Sequence, residues 1–152
     1  MKKQPEITKK TKQAFVTVFC DLYSQRPIEK ISIQEITSRS GYNRSTFYQY
    51  FTDIYDLLDS VESNLLTEVR AELANKRDPT TGIHDALRCM ESKAHVLVLK
   101  ALLGHYGSEH FLEHLKKEVP FTKFNFPVRE DKRLTPYLFE FYVATTFSLF
   151  RL

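Results

Sequence analysis

Between positions 43 and 50 the chain reads Asn-Arg-Ser-Thr-Phe-Tyr-Gln-Tyr, and every side chain there except Phe47 can form a hydrogen bond. At about 3.6 residues per helical turn, Phe47, Tyr50 and Phe51 share one face. Arg44, Ser45, Tyr48 and Gln49 share much of the other. A guanidinium, an amide and several hydroxyls on one exposed face can bond base edges in a nucleic-acid groove and donate to phosphate oxygens. The chemistry is recognition, with no bond made or broken. A second arrangement also invites chemistry: His110 and His114 stand at the i, i+4 spacing that could put two imidazoles on one metal, with Glu109 and Glu113 beside them. No third ligand follows from the spacing, so the expectation is a polar helix face next to Lys116 and Lys117, with no metal and no cofactor.

The elements that must position the first set are short. Ser32 followed three residues later by Glu35 is a capping box, in which each side chain can satisfy a backbone N–H at a helix start. A helix therefore begins near Ile33. Gly41 offers the left-handed backbone that ends it after about two turns. Asn43 is an N-cap for a second helix, from Arg44 to about Phe51, and Asp53 caps a third. Two short helices joined by a glycine turn form a helix-turn-helix, which places its second helix in the major groove of DNA. Ahead of it, Ile7, Ala14, Phe15, Val18, Phe19 and Leu22 recur at helical spacing, so an amphipathic helix covers Glu6 to about Gln25. Arg26-Pro27 breaks that helix, and Ile28 and Ile31 return as core anchors.

Ile36, Gly41-Tyr42-Asn43-Arg44-Ser45-Thr46-Phe47-Tyr48, Tyr50-Phe51, Asp53 and Leu57-Leu58 together resemble the signature of the amino-terminal domain of TetR-type (tetracycline-repressor-like) bacterial transcriptional regulators. The chain departs from that pattern at Ile54, where family members usually carry a lysine that often faces phosphate. The resemblance implies an all-α protein: a helix-turn-helix domain over residues 1–52, then a helical regulatory and dimerisation domain over residues 53–152. It also implies a sequence-specific regulator, a repressor, whose carboxy-terminal half holds a small-molecule effector. The alternative is a co-regulator or interaction module whose carboxy-terminal half binds a partner protein. Arg44, Ser45 and Gln49 are expected to read bases. Thr46, Tyr48 and Tyr50 are expected on the phosphate backbone, and Ser32, Gln34 and Asn43 complete the DNA-facing set.

Composition agrees with this reading. The chain is 42% hydrophobic and 13% aromatic, enough for a real core in 152 residues. Charge is unevenly placed: residues 1–52 carry net +5 and residues 53–152 net −2, and Lys2, Lys3, Lys9, Lys10 and Lys12 gather the positive field at the start. That field attracts phosphate without regard to sequence. Cys20 and Cys89 lie in helical apolar patterns and read as two buried thiols in a reducing cytosol; the resemblance implies that the compartment is a bacterial cytoplasm. No apolar run spans a bilayer. A glycine-rich phosphate loop, a nucleophile elbow and a positioned acid pair are all missing from the sequence, so an enzyme is not expected.

Beyond the motif, Asp53 to about Lys76 reads as one long helix, punctuated by Arg77-Asp78-Pro79-Thr80-Thr81-Gly82. Further helices are expected over Ile83 to Leu103 and Ser108 to Val119, either side of Gly104-His105-Tyr106-Gly107. An effector pocket is expected among them, where His84, Cys89, Met90, His95 and Tyr106 interrupt an apolar wall. Pro120 to Lys132 reads as a loop, and Leu134 to Leu152 as a helix apolar on nearly every side, which more than one neighbour must bury. Leu138, Phe141, Tyr142, Phe147 and Phe150 on that helix are the expected homodimer interface. A two-fold dimer calls for a pseudo-palindromic operator in double-stranded DNA. The resemblance implies a pair of terminal helices from each subunit, and only one of the pair falls within these residues.

Overall fold

The computed structural model describes residues 5–75, 93–118 and 132–148, and every regular element among them is helical. α1 (Pro5–Tyr23) is followed by a 3-10 turn (Ile28–Lys30), then α2 (Ile33–Ser40), α3 (Arg44–Tyr48) and α4 (Ile54–Asn75). The described remainder is α5 (Lys93–Leu103), α6 (Glu109–Glu118), a second 3-10 turn (Lys132–Leu134) and α7 (Thr135–Ser148). Expected structure over positions 76–92, 119–131 and 149–152 lies outside the described residues.

Aromatic rings hold the amino-terminal helices together. Phe15 of α1 sits 5.4 Å from the ring of Phe47, 5.4 Å from Tyr42 and 6.5 Å from Phe51, in the tilted and edge-on arrangements that aromatic quadrupoles favour. Phe15, Phe19, Ile36 and Phe47 are fully buried. Ile28 and Ile31 are buried as their return after Pro27 predicts. Ile7 is a correction, since it is 58% exposed. It lies one turn ahead of the first buried position, Thr11, whose hydroxyl is satisfied by donating to the Ile7 carbonyl at 2.8 Å.

The same core runs on without a break along α4, through Leu57, Val61, Leu65 and Val69, to Leu99 and Leu102 of α5 and Phe111 and Leu115 of α6. α1 packs on α5 as well as α2, and α4 on α6. Two pairs fasten α4 to its neighbours: Arg70 grips the Glu118 carboxylate through Nε at 2.6 Å and through Nη2, and His95 Nε2 meets Glu68 Oε2 at 3.0 Å. The turn between α5 and α6 needs glycine for space. A Cβ on Gly107 would lie 2.0 Å from the Leu102 carbonyl oxygen.

α7 buries one side against its own chain and leaves another uncovered. Phe139 is buried and Leu138 half-buried, but Tyr137 is 75% and Phe141 72% exposed. Lys116 ties α7 to α6 by donating to Glu140 at 2.9 Å. Cys20 is a buried free thiol whose pKa burial pushes up to about 12, so it stays protonated and inert. Cys89 lies outside the described residues.

Candidate nucleic-acid interface

The helix-turn-helix is built by local hydrogen bonds that its residue types dictate. Ser32 Oγ accepts from Glu35 N at 3.2 Å and starts α2. Gly41, with φ +76°, closes it in the left-handed region, and Tyr42 N reaches back to the Thr37 carbonyl at 3.0 Å. Asn43 Oδ1 accepts from Thr46 N at 2.8 Å and starts α3. Asp53 Oδ1 accepts from Tyr55 N at 2.8 Å and Asp56 N at 2.9 Å, while Asp56 reaches back to Thr52 N at 2.7 Å. Three side-chain caps within 22 positions fix where each helix begins, and so which face of α3 points outward.

Two details differ from the sequence expectation. The reciprocal arm of the first capping box is redirected: the Glu35 carboxylate pairs with Arg26 and, at 3.1 Å, with Arg39, which also stands 3.7 Å from Asp21 of α1. Two guanidiniums outcompete one backbone N–H for a carboxylate. The hydrogen bond from Arg26 holds the Glu35 carboxyl below its ordinary range, with the nearby charges of Arg26 and Arg39 adding to it. α3 is also shorter than expected. It ends at Tyr48, and the chain tightens through Gln49 N to Thr46 O at 3.3 Å and Tyr50 N to Phe47 O at 2.9 Å. The tightened turn swings Phe51 under the core, 5.5 Å from Phe47.

Outward from this frame, Ser32, Gln34, Asn43, Arg44, Ser45, Tyr48 and Gln49 are exposed and Thr46 is half-exposed. Arg44 Nη2 donates to Gln34 Oε1 at 3.0 Å, so the first residue of α3 is steadied by an amide of α2. The Thr46 hydroxyl donates to Asn43 Oδ1 at 2.9 Å. A phosphate contact from Thr46 Oγ1 would have to replace that bond, whereas Tyr48 stands 56% exposed with its ring edge-on to Phe47. Tyr50 is half-buried against the core, and the Lys12 ammonium lies 5.7 Å from its ring centroid and 5.8 Å from that of Phe51. Ile54, at the position where a lysine was expected, packs partly buried against the core.

The other expected sites are brought together only in part. His110 and His114 do converge, with ring centroids 4.2 Å apart, yet among the described residues no group of three or more His, Cys, Asp or Glu is arranged to hold a metal ion. Of the expected pocket residues, His95 lines a cleft of about 810 Å³ between α1, α4 and α5, and Tyr106 is exposed on the turn, its ring 4.7 Å from that of His105. His84, Cys89 and Met90 lie outside the described residues. On α7, Phe141 is exposed and Leu138 half-exposed. Tyr142 and Phe147 belong to the helix, with their side chains outside the described set, as is all of Phe150. The interhelix pairs Arg44–Gln34 and Lys12–Tyr50 were not foreseen, because nothing in sequence spacing links residues that meet only through tertiary packing.

Among the described residues, an all-helical frame with a capped, donor-rich second helix over a closed aromatic core has the architecture of a helix-turn-helix. Residues 20–61 match the family of bacterial regulatory proteins, tetR family. The chain is similar to the nucleoid occlusion factor SlmA of Haemophilus influenzae, in strain PittGG and in strain Rd, at 29% identity over 93 residues in each case. The matched stretch covers 55% of this chain and 43% of the relative, so the chain spans less than half the length of the curated relatives it matches. No solved structure matches the chain. Among the described residues no helix is long and apolar enough to cross a membrane.

Proposed function

We propose that this protein is a sequence-specific DNA-binding transcriptional regulator of the bacterial cytoplasm, a repressor without catalytic activity, that inserts α3 into the major groove. The observation that carries the reading is the two-sidedness of α3: Phe47 is fully buried, while Arg44, Ser45, Tyr48 and Gln49 stand exposed above an Asn43 cap. Arg44 is assigned to guanine, Ser45 and Gln49 to neighbouring base edges, and Tyr48 to phosphate, with Thr46 and Tyr50 beside it. Ser32, Gln34 and Asn43 flank the same face. The net positive charge of residues 1–52 supports the approach to duplex DNA.

In the same reading, residues 53–152 are the regulatory half. The uncovered aromatic face of α7 at Tyr137 and Phe141 supports a homodimer, and a two-fold dimer presents two α3 helices to a pseudo-palindromic operator. A small-molecule effector sets the affinity. The second reading is a co-regulator or interaction module whose carboxy-terminal half binds a partner protein in place of a ligand. Selection of bound sequences from random duplex DNA tests the proposal: the expected outcome is a pseudo-palindrome with strong preference at a few positions per half-site, and recovery of unpatterned DNA overturns it.

A further inference from the structure

The cleft of about 810 Å³ between α1, α4 and α5 lies within the range of small-molecule sites, roughly 300–1,000 Å³. Its floor is apolar, from Val61 and Leu65 of α4 and Val98 of α5. Its cationic edge is made by Lys9 and Lys12 of α1, and neither lysine has a carboxylate partner among the described residues. Among the described lining residues the one carboxylate, Glu68, is engaged by His95 at 3.0 Å. An apolar floor under two ammonium groups with no carboxylate partner among the described residues is complementary to an organic anion with an apolar body.

We propose that this cleft is the effector site, and that it takes an amphipathic organic anion whose charged group rests between Lys9 and Lys12. This rests on the reading of the protein as a regulator controlled by a small molecule, and moves the effector from the interior of the carboxy-terminal half to the junction with the DNA-binding helices. The coupling is built into Lys12. Its ammonium lies over the rings of Tyr50 and Phe51, the residues that close α3. An anion in the cleft draws that ammonium off the rings and loosens the seat of α3, while the apolar body wedges α1 against α4 and α5. By linkage, the anion weakens DNA binding by the same factor that DNA weakens anion binding.

The probe is 1-anilinonaphthalene-8-sulfonate, an amphipathic anion that fluoresces on leaving water, with uncharged N-phenyl-1-naphthylamine as its control. The full chain is expected to bind one sulfonate per protomer, and the exposed-site double variant Lys9→Gln/Lys12→Gln to weaken that binding at least about tenfold while leaving the uncharged dye unaffected. Tyr137→Ser/Phe141→Ser separates the cleft from the other apolar surface and is expected to leave sulfonate binding unchanged. Saturating sulfonate is expected to weaken binding to the selected duplex on the order of tenfold in the parent chain and not in the lysine variant. Sulfonate binding that ignores the lysines, or that disappears with the α7 variant, overturns the cleft as the site while leaving control by some other small molecule intact. Lysine-dependent sulfonate binding with no effect on duplex affinity upholds the site and overturns its role as effector.

Discussion

The helices at the two ends of the chain dispose of their aromatic residues in opposite ways. From α1 to the start of α4, Phe15, Phe47 and Phe51 turn inward onto one another and Phe19 is buried against Tyr23, and the outward face of the motif is left to Arg44, Ser45, Gln49 and the Tyr48 hydroxyl. In α7, Phe139 turns inward but Tyr137 and Phe141 are three-quarters exposed. A surface of donors and hydroxyls has its energy to gain from a polar, charged partner; a surface of bare rings has it to gain from another apolar surface. The first region is finished as a fold and open as a binding face, and the second is finished only when something covers it.

The largest expected effect separates the two. Phe47→Ala removes a fully buried ring from the centre of the motif and is expected to cost about 3–5 kcal/mol, read as a fall in urea midpoint. Phe141→Ala is expected to change the chain's own stability by less than about 0.5 kcal/mol while shifting the monomer–dimer balance in sedimentation equilibrium. If both substitutions lower the urea midpoint alike, the contrast between a closed and an open region is lost.

The two turn glycines sharpen the comparison at a smaller scale. Gly107→Ala puts a methyl group against the Leu102 backbone, which cannot swing aside, and is expected to cost about 1–3 kcal/mol. Gly41 has open space around it and needs only its left-handed φ, so Gly41→Ala is expected to cost about 1–2 kcal/mol. Paired thermal melts distinguish a steric demand from a conformational one, with Gly107→Ala the more damaging.

How much of this was legible beforehand depended on distance along the chain. Ser32, Asn43 and Asp53 announced their helices because a cap acts on a backbone N–H two or three residues on, and each does so in the structure. The early end of α3 was hidden, since it is set by drawing Phe51 beneath Phe15, a contact across more than thirty positions. Glu35 was assigned to the backbone because its rival partners, Arg26 and Arg39, could not be placed without the packing of α1 on α2. For the same reason His95 was read as facing the interior of its own half, when its cleft includes a wall supplied by α1.

A subtler expectation concerns acid. The folded chain holds the Glu35 carboxyl below its ordinary range, chiefly through the bond from Arg26, and Glu118 likewise through Arg70. Each contributes stability that is fully present above the ordinary carboxylate pKa, about 4.3, and is lost as pH falls through the lower folded value. Glu35→Gln is therefore expected to melt earlier than the parent chain at neutral pH and to converge with it as the pH falls through the lowered folded value. Parallel melting curves across that range would place the network outside the stability of the fold.

The central claim, that the exposed face of α3 reads base sequence, is tested most directly by repeating the duplex selection with Arg44→Ala beside the parent chain and measuring affinity for the selected and for scrambled duplexes. The account predicts a loss on the order of 1–3 kcal/mol on the selected duplex and relaxed preference at one base position in each half-site, with scrambled DNA bound much as before. Equal weakening on selected and scrambled duplexes, with the preference at every position intact, would contradict it.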